Sequence, residues 1–127
     1  MEKNVSESIA KGEKVFHLSV HSFTPILNHE ERNADIGLLY DPSRKTEKEF
    51  CRILKQHLLA ISPNLKVRYN YPYLGTDDGF TTYLRKKFPE NYMGIEIEIN
   101  QKFEQNNKIE YPLKQAVYKA LEETMKI

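Results

Sequence analysis

The segment MGIEIEIN, Met93 to Asn100, constrains this chain more than any other, because its isoleucines alternate strictly with glutamates. Only a β-strand sends successive residues to opposite faces. Ile95, Ile97 and Ile99 therefore bury one face, and Glu96 and Glu98 share the other. That second face is either the wet side of an ordinary edge strand or the lining of a cavity. In the second case one glutamate serves as a general base, its pKa raised by partial burial.

The rest of the chain alternates helix and strand around this element, which gives the class α/β. Asn4 to Lys11 carries Val5 and Ile9 at helical spacing and is closed by Gly12. VFHLSVH, Val15 to His21, reads as a buried strand, and IGLLY, Ile36 to Tyr40, as a second. Between them the long polar segment SFTPILNHEERNAD reads as a functional loop. Thr46 to Ile61 is a helix with Thr46 as N-cap, Glu49 at its third position, and a stripe of Phe50, Ile53, Leu54, Leu58 and Ile61. LKVRYNY follows as a third strand, PYLGTDDGF as a turn-rich loop, and Thr81 to Lys87 as a short helix. After the glutamate strand and the polar stretch QKFEQNNKIE, Pro112 opens a last helix with Leu113, Ala116, Val117, Ala120 and Leu121 on its apolar face.

Period-two alternation places His17, Ser19 and His21 on one face of the first strand. His21 stands at its carboxyl end, where open α/β sheets build their sites. A neutral imidazole held on a rigid strand end is a good zinc ligand, although a hydrogen-bonded strand-terminal histidine is the commoner finding. His17 reads as structural, and His29 and His57 as surface residues. Arg32, Asn33, Asp35, Asn70, Asp78 and Arg85 supply polar groups after strands, and an arginine suits bidentate capture of a carboxylate. Cys51 reads as a small core or boundary residue rather than a nucleophile.

Composition narrows the function classes. The 127 residues suit one domain, and 19 Lys plus Arg against 18 Asp plus Glu leave a formal charge of +1. That balance argues against a nucleic-acid binder, which needs a clear basic excess. A single cysteine excludes a disulfide framework and any multi-cysteine zinc site. No apolar run approaches the roughly 20 residues of a membrane span. The first residues lack the apolar core of a signal peptide, so the expected compartment is cytoplasmic.

Four segments in order, HLSVHSFTP, RNADIGLLYDPSR, NYPYLGTDDGFTTYLR and YMGIEIEINQ, resemble the N-formylglutamate amidohydrolase family over about Val15 to Gln101. The resemblance implies a phosphorylase/hydrolase-like, zinc carboxypeptidase-like fold, related also to the aspartoacylase group. That fold is a three-layer α/β/α arrangement on a mixed, partly parallel sheet. It implies hydrolysis of the N-acyl amide of an acidic amino acid such as N-formylglutamate, with zinc (Zn) activating a water. By the same resemblance His21 matches a zinc-binding histidine and Glu98 the general base, with Glu96 as runner-up. Arg32 matches an arginine that grips the substrate carboxylate, and Asn70, Tyr73 and Arg85 are pocket residues.

The family's first zinc ligands come from a histidine motif well upstream of the position of HSFTP. Only twenty residues precede His21 here, and a catalytic zinc takes three protein ligands. His17, Asp35 and Asp77 are the available substitutes, with nothing in their spacing to recommend them. The chain is therefore expected to be the carboxyl-terminal portion of such a hydrolase, from a truncated or split frame, weakly active or inactive alone. It should carry an unpaired sheet edge and an exposed apolar patch. A complementary N-terminal half or a homo-oligomer is the expected partner. The alternative function is a non-catalytic module binding acidic amino acids or peptides.

Overall fold

The structure is a computed structural model describing residues 11–12, 14–106 and 108–126. The expected helix at Asn4 to Lys11 lies almost wholly outside them. A four-stranded sheet forms the centre, built from β1 (Val15–Phe23), β4 (Ile36–Leu39), β5 (Val67–Tyr69) and β6 (Tyr92–Asn100) in the order β1-β6-β4-β5. β1 runs parallel to β6 and β4 parallel to β5, while β4 and β6 are antiparallel, so the sheet is mixed. The helices are α1 (Lys45–Ile61), α2 (Gly79–Lys87) and α3 (Tyr111–Met125).

The alternation of β6 is realised as its sequence requires. Ile95, Ile97 and Ile99 are 1%, 1% and 3% exposed and pack with Ile36, Leu38, Leu54, Leu58 and Val117. Burying an aliphatic side chain of this size stabilises the fold by about 1.5–3 kcal/mol, so this one face holds the sheet to α1 and α3. The glutamates share the other face with His17, Ser19 and His21 of β1, because the parallel register sets Ser19 beside Glu96 and His21 beside Glu98. β6 is thus an interior strand, not an edge strand with a wet face.

Several local expectations change. α1 starts one residue earlier than Thr46, with Arg44 at its N-cap and no side-chain cap. Its buried residues are Glu47, Cys51, Leu54 and Leu58, so the inward stripe is rotated toward Cys51 and Ile61 is exposed. The reason is Glu47, whose carboxylate is drawn inward by buried arginine. The third strand is limited to Val67–Tyr69, since Asn70 turns left-handed at φ 49°. The polar connection after β1 contains a small hairpin, β2 (Ile26–Leu27) and β3 (Glu30–Glu31), turned by Asn28 and His29 at positive φ. QKFEQNNKIE holds another, β7 (Glu104–Gln105) with β8 (Lys108–Ile109). α2 begins at Gly79, capped by the Asp78 side chain accepting from the Phe80 N–H. Among the described residues no helix is long and apolar enough to cross a membrane.

Gly37 lets the site close. A Cβ there would meet the Tyr71 carbonyl oxygen at 1.8 Å, so only glycine admits the loop after β5 onto β4 directly opposite Glu98.

Candidate functional site

The carboxyl ends of β1 and β6 deliver His21 and Glu98 to one depression of about 390 Å3, lined also by Ser22, Tyr73, Asp77, Asp78 and Glu96. Adjacent strands lie about 4.8 Å apart, and His21 and Glu98 are Cα partners in the register. Their side chains leave the sheet on the same side. His21 is exposed. Glu98 is 5% exposed, and its Oε2 is buried without a hydrogen-bond partner.

The carboxyls of this cavity differ in protonation. Burial raises the pKa of Glu98, with His21 and Arg32 pulling it back. Burial, then a hydrogen bond and repulsion from Asp78, push Glu96 up to about 7. Burial acts on Asp78 in the same sense. Its hydrogen bonds with Glu96, Thr81 and the α2 backbone outweigh that, and its pKa ends below the ordinary value. While the pair holds one proton, it resides on Glu96, which then donates to Asp78, and it is released as pH rises through about 7.

Arg32 does not line this cavity but a neighbouring depression with Glu30, Glu31 and Tyr71. It reaches the cavity wall through Tyr73, donating from Nη2 to the Tyr73 hydroxyl at 3.1 Å with its guanidinium 5.1 Å from that ring centroid. Stacking of this kind fixes a guanidinium, and Nη1 of Arg32 makes only long contacts of 3.4 Å, to the Thr24 carbonyl and hydroxyl oxygens. Asn70 does not face the cavity. Its Oδ1 accepts from the backbone N–H groups of Tyr40 and Gly75, both at 3.0 Å, and so positions the loop that carries Tyr73 and Asp77.

Arg85 is not a pocket residue. It is 5% exposed, with Nε at 2.9 Å from Glu47 Oε2 and its Nη atoms donating to the carbonyls of Gly75 and Gly94. Arg44 joins this cluster as an ion pair with Glu47 at 3.2 Å. Every strong donor of Arg85 is thereby turned inward, which ties α1, α2 and β6 together beneath the site.

Of the substitute metal ligands, Asp77 reaches the cavity wall, while its Oδ2 accepts from the Leu74 N–H. Asp35 is elsewhere, bound to the Lys66 N–H and to Lys102. His17 is occupied on both nitrogens, by the Tyr92 hydroxyl at 2.9 Å and the Ser19 hydroxyl at 3.1 Å. No group of three or more His, Cys, Asp or Glu among the described residues could hold a metal ion. His21 and Glu98 are a partial donor set, so these residues do not by themselves fit a zinc ion. Cys51 is fully buried and its thiol pKa is pushed up by burial and by Glu47, as befits a core residue.

Of two further residues that matter here, the sequence offers Asp78 as a polar group after a strand and does not single out Glu47. Asp78 was legible as the N-cap of DGFTT, but its carboxyl contact with Glu96 links separate elements. Glu47 falls at the i−4 position before Cys51, on the inward stripe, and a glutamate there signals a buried cationic partner.

No protein-family model matches the chain, and no curated protein matches it. Solved structures do. A gene product of Agrobacterium tumefaciens aligns with a TM-score of 0.62 at 27% identity, covering 98% of this chain and 47% of that one. An N-formylglutamate amidohydrolase from Ralstonia eutropha aligns with a TM-score of 0.65 at 17% identity, again over 98% of this chain and 47% of the other. The fold is shared, and the chain spans about half the length of each.

Proposed function

We propose that this chain supplies part of the active site of an amidohydrolase that removes an N-acyl group, formyl in the simplest case, from an acidic amino acid. The observation that carries this reading is the β1–β6 register, which sets the strand-end His21 beside the buried, unpartnered carboxylate of Glu98 in one cavity. The likeness of fold to an N-formylglutamate amidohydrolase supports it, and the mixed, partly parallel sheet agrees with it.

In this reading Glu98 is the general base. It takes a proton from water as the water oxygen bonds to the acyl carbon. It returns that proton to the amine nitrogen as the carbon–nitrogen bond breaks, leaving formate and the free amino acid. A carboxylate whose pKa is raised by burial is suited to holding the proton between these events. Arg32, steadied by Tyr73, binds a substrate carboxylate and so turns binding energy into orientation. Among the described residues His21 is the imidazole at the cavity mouth, and a zinc site there would need further donors from outside them.

The test is calorimetric titration of the chain with N-formylglutamate and with N-formylalanine, followed by formate release with zinc present. Preference for the dicarboxylate that Arg32→Met removes is the expected result. Equal binding of both ligands, or formate release untouched by Glu98→Gln, would overturn the assignment.

A further inference from the structure

β1 is nine residues long and pairs with β6 along its whole length, but it has no second neighbour among the described residues. An open strand edge of this length is a template for pairing, and VFHLSVHSF carries none of the lysines or prolines that usually blunt one. The sheet margin is also apolar on its α3 side. Val20 is 55% exposed, Tyr111 70% and Tyr118 59%. With Ile109, Val117 and Leu121 they surround a cavity of about 590 Å3, rimmed by Lys108 and Lys114. Contiguous exposed apolar surface of this kind marks an interaction site.

We propose that the free edge of β1 and the apolar shelf beside α3 dock a strand-and-helix unit from the half of this fold that the chain does not contain. Its strand pairs with β1. Its helix covers Val20, Tyr118 and Leu121 and presents acidic residues to Lys108 and Lys114. The length of the relatives supports this occupant, because each solved structure holds about as much chain again beyond the part matched here. Position supports it as well. His21 and Ser22 are exposed at the end of β1 and line the candidate cavity, so a strand beside β1 delivers its own side chains there from the open side. That last consequence rests on the amidohydrolase reading; the docking itself does not.

The experiment joins this chain through a Gly/Ser linker to the portion of the Agrobacterium gene product that it does not match. A short linker holds the two parts at about millimolar effective concentration, so even weak docking registers. Amide hydrogen exchange across Val15–Phe23 should slow at least tenfold relative to the chain alone, and Val20→Lys or Tyr118→Glu should cancel the slowing. Unchanged exchange, or slowing that survives both substitutions, would overturn the proposal. So would a homodimer of the chain alone with a protected β1, which assigns the edge to a second copy. Zinc content of the same fusion separates the two ideas: slowed exchange without bound zinc keeps the docking and removes the metal reading.

Discussion

Glu96 donates a hydrogen bond to Asp78 across the gap between β6 and the start of α2. Two carboxyls can do this only while they share a proton, so the contact couples the fold to pH.

The sign follows from Glu96, whose pKa rises from 4.5 in the ordinary case to about 7. Between these values the folded chain holds a proton that the unfolded chain has released. Glu96 therefore contributes stability that is complete below about pH 4.5 and lost as pH rises through about 7. Urea unfolding at steps from pH 4.5 to 8 should show this decline, and Glu96→Gln should flatten it. A parental slope identical to that of the variant would mean that Glu96 titrates as an ordinary exposed glutamate.

Glu98 combines burial with an unpartnered oxygen, a feature that costs stability and marks function. Removing its charge should separate the two. Glu98→Gln is expected to raise the thermal midpoint at pH 8 by roughly 2–5 °C, because a buried charge without a partner disappears. In any preparation that releases formate, the same change should lower kcat by about a hundredfold or more. A variant that melts below the parent at pH 8 would show that the carboxylate holds the fold together rather than waiting for a ligand.

Arg85 should behave as architecture. Replacing it with Met removes the buried partner of the Glu47 carboxylate, which has no exposure and keeps only Arg44 as an ionic partner, and should cost roughly 3–5 kcal/mol. The double change Glu47→Met with Arg85→Met should recover part of that, since the fully buried carboxylate is gone and the charge left unpaired is that of Arg44, which reaches solvent. Denaturant midpoints of the two single variants and the double close the cycle. An Arg85→Met protein as stable as the parent would remove this account of the cluster.

These three sites show what a sequence can reveal of such a fold. Alternation in MGIEIEIN is local, so the buried isoleucine face and the shared glutamate face were both readable. That His21 lies beside Glu98 was not, because it depends on β1 and β6 being neighbours although more than seventy residues separate them. The same holds for Arg85, expected in the pocket but placed against Glu47, a partner on another helix that no local pattern reveals. Asn70 kept a role but lost its place, serving the loop rather than the ligand.

Gly37 offers the sharpest test of how the loop and the sheet cooperate. Its missing Cβ makes room for the Tyr71 carbonyl, and the segment anchored there carries Tyr73, whose hydroxyl accepts from Arg32. Alanine at this position would place a carbon 1.8 Å from a backbone oxygen, so the loop must lift. Overpacking of this kind costs about 1–3 kcal/mol. Gly37→Ala should lower stability by that amount, shift the backbone resonances of Tyr71 to Leu74, and weaken binding of N-formylglutamate by disturbing Arg32. Gly79→Ala is the matched control, since a Cβ there meets nothing within 4 Å. It should leave both resonances and binding unchanged. If Gly37→Ala left the loop resonances in place, the close contact between Tyr71 and β4 would not be what seats Arg32.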